Sequence, residues 1–528
     1  MKKFKAILAL VLVACLFVTL FAACAKTTDK PSTDGGNTNT NTNTGSDTNT
    51  NSGKVDEEEI VDIVVSYLDV SANELTEWER MEAYINTISV PEIGVRVKLR
   101  IGQMGDYGTT IPLEIAGGEK LDVINVSPMG GTKLATLLGN GSLLNIKAEL
   151  EEYAAEALAL CGPDMVGVYA QGDALYGLPT NRLNTSNEYV VMRKDVLEAA
   201  GALEMAENCD SYSDLEAIWA KVYDYCTANN IYVIGGQKNV VNVNAYWTGD
   251  AFSTGVQFDA IGDSTNLLMT YEDGNKVACR YENEHWVDMQ KRATTWKANS
   301  WIYPDTILGD DHVDNLMKQG VIFSYWNHTE IGVEVARKLS SGYDVVCPMA
   351  CQGVVQTNNL ANFGVAVPVT CQDVVAAVKF INLMYTDARI STVFAWGIEG
   401  EDYIMVNGEA AYPENPSNFH AQDYMMANQM LVPAWQGQGA DFRAKALEAN
   451  KNATFSRYLG FSIDVSEMET VVASLSAVRD EYIPSLNSGE YTDEMYQQFI
   501  DKMYAVGLQE YMDGAQTQLN AWLAANGK

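Results

Sequence analysis

Between residues 60 and 126 the apolar period switches from two residues to about 3.6 and back, and this rhythm limits the fold more than any other feature of the chain. Val61, Ile63 and Val65 alternate through residues 60–68, as a half-buried strand requires. Leu75, Trp78, Met81, Ile85 and Ile88 then recur at the spacing of one helical face. Val95, Val97, Leu99 and Ile101 alternate again, a helix over residues 110–116 ends near Gly117 and Gly118, and residues 121–126 read as a third strand. The order βαβαβ implies a parallel sheet with right-handed crossovers, so the fold class is α/β. Ligands of such sheets sit beyond the carboxyl ends of the strands. Residues 69–71 and 127–129 occupy those ends, which makes Asp69 and Ser127 candidate ligand contacts and, on the plainer reading, turn formers.

The first fifty-odd residues are of another kind. Met1, Lys2, Lys3 and Lys5 precede an uncharged apolar run that stops at Leu20-Phe21-Ala22-Ala23-Cys24. This reads as an export signal over residues 1–23 with a lipobox, whose cleavage leaves Cys24 to carry a diacylglycerol. Phe21 stands where Leu or Val is commoner. The alternative is an uncleaved anchor, because the run approaches the roughly 20 residues that span a bilayer. Either way the body lies outside the cytoplasm. Residues 24–54 are almost all Thr, Asn, Asp, Ser, Gly and Lys, with strict Asn-Thr alternation over 37–44, and cannot bury a core. They are expected to be a disordered tether spanning about 30 Å on average.

Beyond the tether, the length suits two or three domains, and 47% hydrophobic with 20% charged residues is globular composition. A net charge of -34 argues against nucleic acid and against electrostatic docking on anionic lipid. Of nine cysteines, Cys15 leaves with the signal and Cys24 is lipidated. Cys161, Cys209, Cys226, Cys279, Cys347, Cys351 and Cys371 remain, an odd set. Bridges between Cys347 and Cys351 or Cys209 and Cys226 are open by spacing, with buried thiols the default. No CxxC pair or histidine at ligand spacing suggests zinc, and no cofactor is expected.

Farther on, Tyr176-Gly177-Leu178-Pro179 leads into a short strand over residues 189–193 and a helix over 195–200 closed by Gly201. Here the chain resembles the extracellular solute-binding proteins of bacterial ABC importers, at the hinge and the lobe that follows it. The apolar run from Gly320 to Trp326 resembles the strand of that family that ends beside the ligand. Two stretches sharpen the resemblance. Trp396-Gly397-Ile398-Glu399-Gly400, with Tyr403 after it, is similar to a segment of LipO-type sugar-binding lipoproteins. Gly460, Phe461, Asp464, Glu469, Val478, Glu481, Tyr482, Leu486, Gly489, Gln516, Gln518, Leu519 and Trp522 look like their characteristic C-terminal domain.

The resemblance implies a two-lobed type II periplasmic-binding-protein fold with discontinuous lobes and a helical C-terminal region. Residues 55–178 and 345–395 would form the first lobe, and 179–344 and 396–528 the second, with Val374, Val378, Ile381 and Leu383 as helical core positions. It implies a monomeric receptor that passes a carbohydrate to the transmembrane subunits of an ABC permease. The receptor would be held at the cell surface through Cys24, as a bacterium without an outer membrane requires.

Ten tryptophans and 27 tyrosines suit such a ligand, because sugar rings present C–H faces to aromatic rings and hydroxyls to polar groups at the edge. Trp326 ends an apolar run and precedes Asn327, Trp247 lies in a Gly-containing loop, Trp396 stands beside Glu399, and Trp435 lies in Pro433-Ala434-Trp435-Gln436-Gly437. These are the candidate contacts, whereas Trp78, Trp219 and Trp522 have core spacing. Glu399 and Asp402 offer hydroxyl acceptors or turn caps. Arg182, just past the hinge, would meet a ligand or, more simply, an opposing carboxylate.

Enzyme motifs are missing: no Gly-x-Ser-x-Gly, His-Glu-x-x-His or phosphate loop occurs. His285, His312, His328 and His420 lie in no triad-like context, and among 69 acidic residues a carboxylate pair carries no signal. The expectation is a receptor, not an enzyme. A receptor for a peptide or other organic solute, and a surface enzyme acting on glycans, are the alternatives.

Overall fold

A computed structural model describes residues 60–236, 252, 258–263, 265–271, 274–306, 312–419 and 421–528. The expected signal, tether and Cys24 lie outside the described residues, as does Trp247.

The opening rhythm becomes β1 (Val61–Asp69), α1 (Leu75–Ile93), β2 (Val95–Gln103), α2 (Tyr107–Gly117) and β3 (Ile124–Val126). β1 and β2 run parallel from Val61 opposite Val95 to Asp69 opposite Gln103, and β3 is approached through the parallel bridge Val65 to Val123. Alternation sends Ile63, Val65 and Tyr67 inward, where Trp78, Met81, Ile85 and Ile88 of α1 cover them. Leu75, in the first turn of α1, is exposed instead. α1 stops because Gly94 takes a left-handed conformation and turns its N–H back to Val90.

After β4 (Gly177–Pro179) the chain crosses to a second sheet built from β5 (Asn187–Arg193), α3 (Tyr212–Ala228), β6 (Tyr232–Ile234), β7 (Ile322–Thr329), α4 (Val333–Ser341), β8 (Val345–Val346) and β9 (Met349–Cys351). β7 lies antiparallel to β5 and parallel to β6, and β8 and β9 pair with the other edge of β5. α3 packs Leu215, Ile218, Trp219 and Val222 under this sheet. The chain recrosses at β10 (Val354–Val355), and β11 (Gly364–Ala366) enters the first lobe between β3 and β4, antiparallel to both. Val378, Phe380 and Ile381 of α5 (Val374–Thr386) are fully buried there.

Each of the two sheets therefore draws its strands from separated stretches of the chain. Residues 345–351 stay in the second sheet, because β5 offers them an open edge. Much of the stretch after 396 remains with the first lobe. Phe419, Ala421, Met425, Met426 and Ala427 complete its core, and the hairpin of β12 (Ile404–Val406) and β13 (Glu409–Ala411) begins just after Asp402, which grips Arg80 of α1.

α6 (Phe442–Lys451) leads to β14 (Thr454–Phe455), which pairs in parallel with the crossing strand β10. The final helices α7 (Glu469–Leu486), α8 (Asp493–Ala505) and α9 (Leu508–Ala525) share a core with Phe258, Leu268 and Trp286 of the second lobe. Buried Asp263 ties this core together by accepting from the Thr265, Leu267 and Leu268 amides and the Tyr511 hydroxyl. All seven remaining cysteines are thiols, so neither spacing-based bridge forms, and only Cys371 is not fully buried.

Candidate functional site

The first lobe brings Asp69 and Ser127 to its strand ends, as their positions required, and then occupies them. Asp69 is 1% exposed and accepts from the Ser71 and Asn73 amides, Asn73 Nδ2 and Trp78 Nε1 at 2.7–3.2 Å. Ser127 is fully buried, 2.6 Å from Thr132 Oγ1, and its oxygen also receives the Met129 amide. Both side chains hold the loops that shape this wall rather than face outward from it. Asp69 does so because a buried carboxylate needs several donors, and the turn into α1 supplies them.

The second lobe does the opposite at the end of β7. Trp326 is half-buried beside Tyr212 and Phe252, with ring centroids 6.3 and 6.2 Å away. Its Nε1 is closed off from solvent with no acceptor among the described residues, and Asn327 Oδ1 is likewise without a donor among them. An unpartnered buried polar group costs about 1–3 kcal/mol, so two in succession set this strand end apart from the bonded ends of β1 and β3. Next to them His328 Nδ1 lies 2.6 Å from the buried Glu188 carboxylate.

Past the end of β7, Glu330 stands at the junction of the lobes. Its charged neighbours are Arg182 of the first crossing, Asp423, and Arg443 at the start of α6. Loss of solvent pushes the Glu330 carboxyl up to about 7, against the pull of Arg182. The opposing carboxylates stay beyond ion-pairing range of Arg182, which donates to the Asn359 carbonyl at 2.7 Å and lies 5.5 Å over the Phe363 ring. Burial lowers its pKa, with Glu330 the largest opposing influence. Arg443 is 9% exposed, bonds the Val432 carbonyl and Asp423, and keeps Nη1 buried without an acceptor.

The crossing itself is laced to the other chain passages. Asn181 exchanges backbone bonds with Ala427 and Gln429, Leu183 donates to Gln429 Oε1, and Asn450 joins the Arg182 carbonyl to the Asn184 amide.

Trp396 and Trp435 meet, with centroids 4.8 Å apart, and the half-exposed Tyr412 stands 4.7 Å from Trp435 on the β12–β13 hairpin. Trp396 Nε1 donates to the Pro433 carbonyl. Glu399 is exposed at the turn before the hairpin, whereas Asp402 is buried, bonding Arg80 and the Ile398 amide, and so caps that turn. Of the expected contacts, then, Trp326 and Asn327 sit together in the second lobe, Trp396, Trp435 and Glu399 sit together on the hairpin side, and Asp69 and Ser127 are internal. Sequence reasoning passed over Glu330, Asp423 and Arg443. The one available signal was the place of Glu330, three residues past the candidate Asn327 on the same run.

Among the described residues no cluster of His, Cys, Asp and Glu is arranged for a metal ion, and no helix is long and apolar enough to cross a membrane.

Comparison with known proteins places this geometry in context. Residues 457–524 match the family described as a domain of unknown function, DUF3502. No curated protein matches the chain by sequence. Among solved structures, the N-glycan transport solute binding protein NgtS from Streptococcus pneumoniae superposes with a TM-score of 0.75 at 14% identity, covering 89% of this chain and 100% of that one. An HMO binding, ABC-transporter-associated solute binding protein from Bifidobacterium longum infantis gives 0.59 at 13% identity, covering 88% and 99%. FusA of S. pneumoniae, an ABC-transporter substrate binding protein solved in complex with kestose, gives 0.57 at 15% identity, covering 88% and 100%. The chain has the α/β fold of extracellular solute-binding proteins, with a helical C-terminal region.

Proposed function

We propose that this protein is the substrate-binding component of an ABC importer, held at the outer face of the membrane through Cys24, and that it captures an oligosaccharide between its lobes. The observation that carries the reading is the unsatisfied end of β7. Trp326 offers a ring face and an N–H, and Asn327 an acceptor, beside a lobe junction in a fold whose solved examples include an N-glycan transport protein and a protein in complex with kestose. A sugar supplies both a C–H face and hydroxyls, which is the chemistry these groups lack. Trp396 and Trp435, with Glu399 at their edge, would extend the contact along a longer chain.

Capture by hinge closure fits the same comparison. NgtS superposes at 0.75 in one structure, but at 0.66 and 0.64 in complexes with Man1GlcNAc and Man5GlcNAc. Only a ligand that binds closed and open forms differently shifts their balance, and the unsatisfied atoms give closure something to gain.

A thermal-shift panel of Man5GlcNAc, kestose, human milk oligosaccharides and short peptides tests the reading. Ligand present at a hundred times its Kd stabilises the folded state by about 2.7 kcal/mol, a readily seen shift. A rise with a sugar and none with peptides supports the proposal, and the reverse replaces it with a peptide receptor. Release of new reducing ends from a bound oligosaccharide would replace it with an enzyme.

A further inference from the structure

With Asp69 and Ser127 internal, the first lobe still lacks a side chain for a ligand, and the start of β11 supplies three. Gly364 pairs with Val126 at the end of β3 and with Pro179 at the end of β4. Phe363 therefore stands level with the carboxyl ends of both strands, where ligands of α/β sheets sit, and its carbonyl takes the Thr180 amide. Its half-buried ring meets the half-buried ring of Tyr424 edge to face, with centroids 5.5 Å and planes 68° apart. The Arg182 guanidinium lies 5.5 Å over the same Phe363 ring and donates Nη2 to the Asn359 carbonyl at 2.7 Å.

The sheet holds this group from beneath. Asn125 Nδ2 on β3 donates to the Gly364 and Met425 carbonyls at 3.1 and 2.9 Å, which sets the residues after Phe363 and Tyr424 side by side. Asp423, just before Tyr424, accepts from Gln429 Nε2 and Arg443 Nη2. Two buried atoms on these supports, Asn125 Oδ1 and Arg443 Nη1, have no partner among the described residues, the mark already met at the end of β7. The first crossing joins the two places. Five residues separate Arg182 from Asn187, at most about 18 Å of extended chain, and Asn187 pairs with Thr329 at the end of the strand that carries Trp326 and Asn327.

We propose that Phe363, Tyr424 and Arg182 are the first lobe's part of the sugar site. Tyr424 meets the sugar with its ring and hydroxyl, and Arg182 donates the N–H groups that Asn359 does not take to hydroxyl or acetal oxygens. Phe363 orients both, as the surface on which the guanidinium stacks and against which the Tyr424 ring is set. The inference rests on the sugar-receptor reading and adds the residues that answer Trp326 and Asn327. A planar, stacked fork is a property of arginine that lysine lacks, so charge alone does not replace Arg182.

Titration calorimetry with Man5GlcNAc and kestose, paired with melting curves of the sugar-free protein, tests this. Tyr424→Phe deletes one hydroxyl and keeps the ring against Phe363. It is expected to weaken whichever sugar binds by about fivefold, with the melting temperature unchanged. Arg182→Lys keeps the charge and loses the fork, and is expected to weaken the same sugar by about tenfold. Wild-type affinity in Tyr424→Phe, or a fall in its melting temperature that accompanies the lost affinity, overturns the assignment and makes the pair scaffold. Wild-type affinity in Arg182→Lys removes Arg182 from the site. In each of these cases a sugar that Trp326→Phe still weakens leaves the receptor reading standing. Binding of neither sugar, with a thermal shift from a peptide instead, overturns both.

Discussion

The two lobes differ in the side chains that stand at their strand ends, bonded beyond β1 and β3 and unbonded at the end of β7. On the first lobe Asp69 and Ser127 are closed into their own loops, and Trp78 Nε1 is consumed by Asp69. On the second lobe Trp326 Nε1 and Asn327 Oδ1 are buried without a partner among the described residues. The difference teaches that position beyond a strand end nominates a residue, but the state of its polar atoms decides its work. A satisfied wall is scaffold.

The largest test of this contrast lies on the satisfied side. Asp69→Ala strips acceptors from Trp78 Nε1 and two backbone amides at once, and should cost about 3 kcal/mol in urea denaturation. Any variant molecules that still fold should bind sugar normally, so a large loss of affinity without loss of stability would erase the contrast. Glu330→Gln should act in the opposite direction. The folded-state pKa of Glu330, about 7, lies above the ordinary carboxylate value, so folding disfavours its ionised form. That penalty is absent below about pH 4.5, grows as pH rises to 7 and is constant above. Glu330→Gln should therefore stabilise the ligand-free protein by about 1.5 kcal/mol at pH 8, allowing for partial exposure, and by nothing at pH 4.

Trp326→Phe keeps a ring and deletes the unpartnered N–H. It should weaken sugar binding about tenfold, or 1.4 kcal/mol by calorimetry, with a smaller change in stability. A loss of stability alone would move Trp326 to the scaffold. Ser127→Ala removes the buried bond to Thr132 and the longer one from the Met129 amide, and should cost about 1 kcal/mol in stability, with affinity unchanged.

Much of the first lobe was legible because one period governs each element: β1, α1 and β2 follow directly from Val61 to Ile101. The lobe boundaries were less so. Val345 and Val346 form a two-residue strand whose partner, β5, lies some 150 residues earlier, and nothing local announces that pairing. Arg80 and Asp402 are equally remote in sequence, at a separation of 322, and it is their contact that keeps the hairpin region with the first lobe. In the site, Trp326 and Asn327 stood out by residue type and place. Glu330 did not, because its charged neighbours Arg182, Asp423 and Arg443 come from distant stretches of chain, and the chain has 69 acidic residues to choose among. The meeting of Trp396 with Trp435 was hidden in the same way, since the intervening hairpin brings them together.

The insertion of β11 between β3 and β4 bears on how the molecule is made. Asn125 donates to the Gly364 carbonyl across 239 residues of chain. A polypeptide emerging N-terminus first displays β1 to β4 long before their central partner exists, with the edges of β3 and β4 open for the whole interval. Contacts so distant in sequence make for slow folding, and open strand edges invite mispairing meanwhile. The first part of the chain to appear is thus among the last to be finished, and the second lobe, whose main strands lie between, has the opportunity to fold before it.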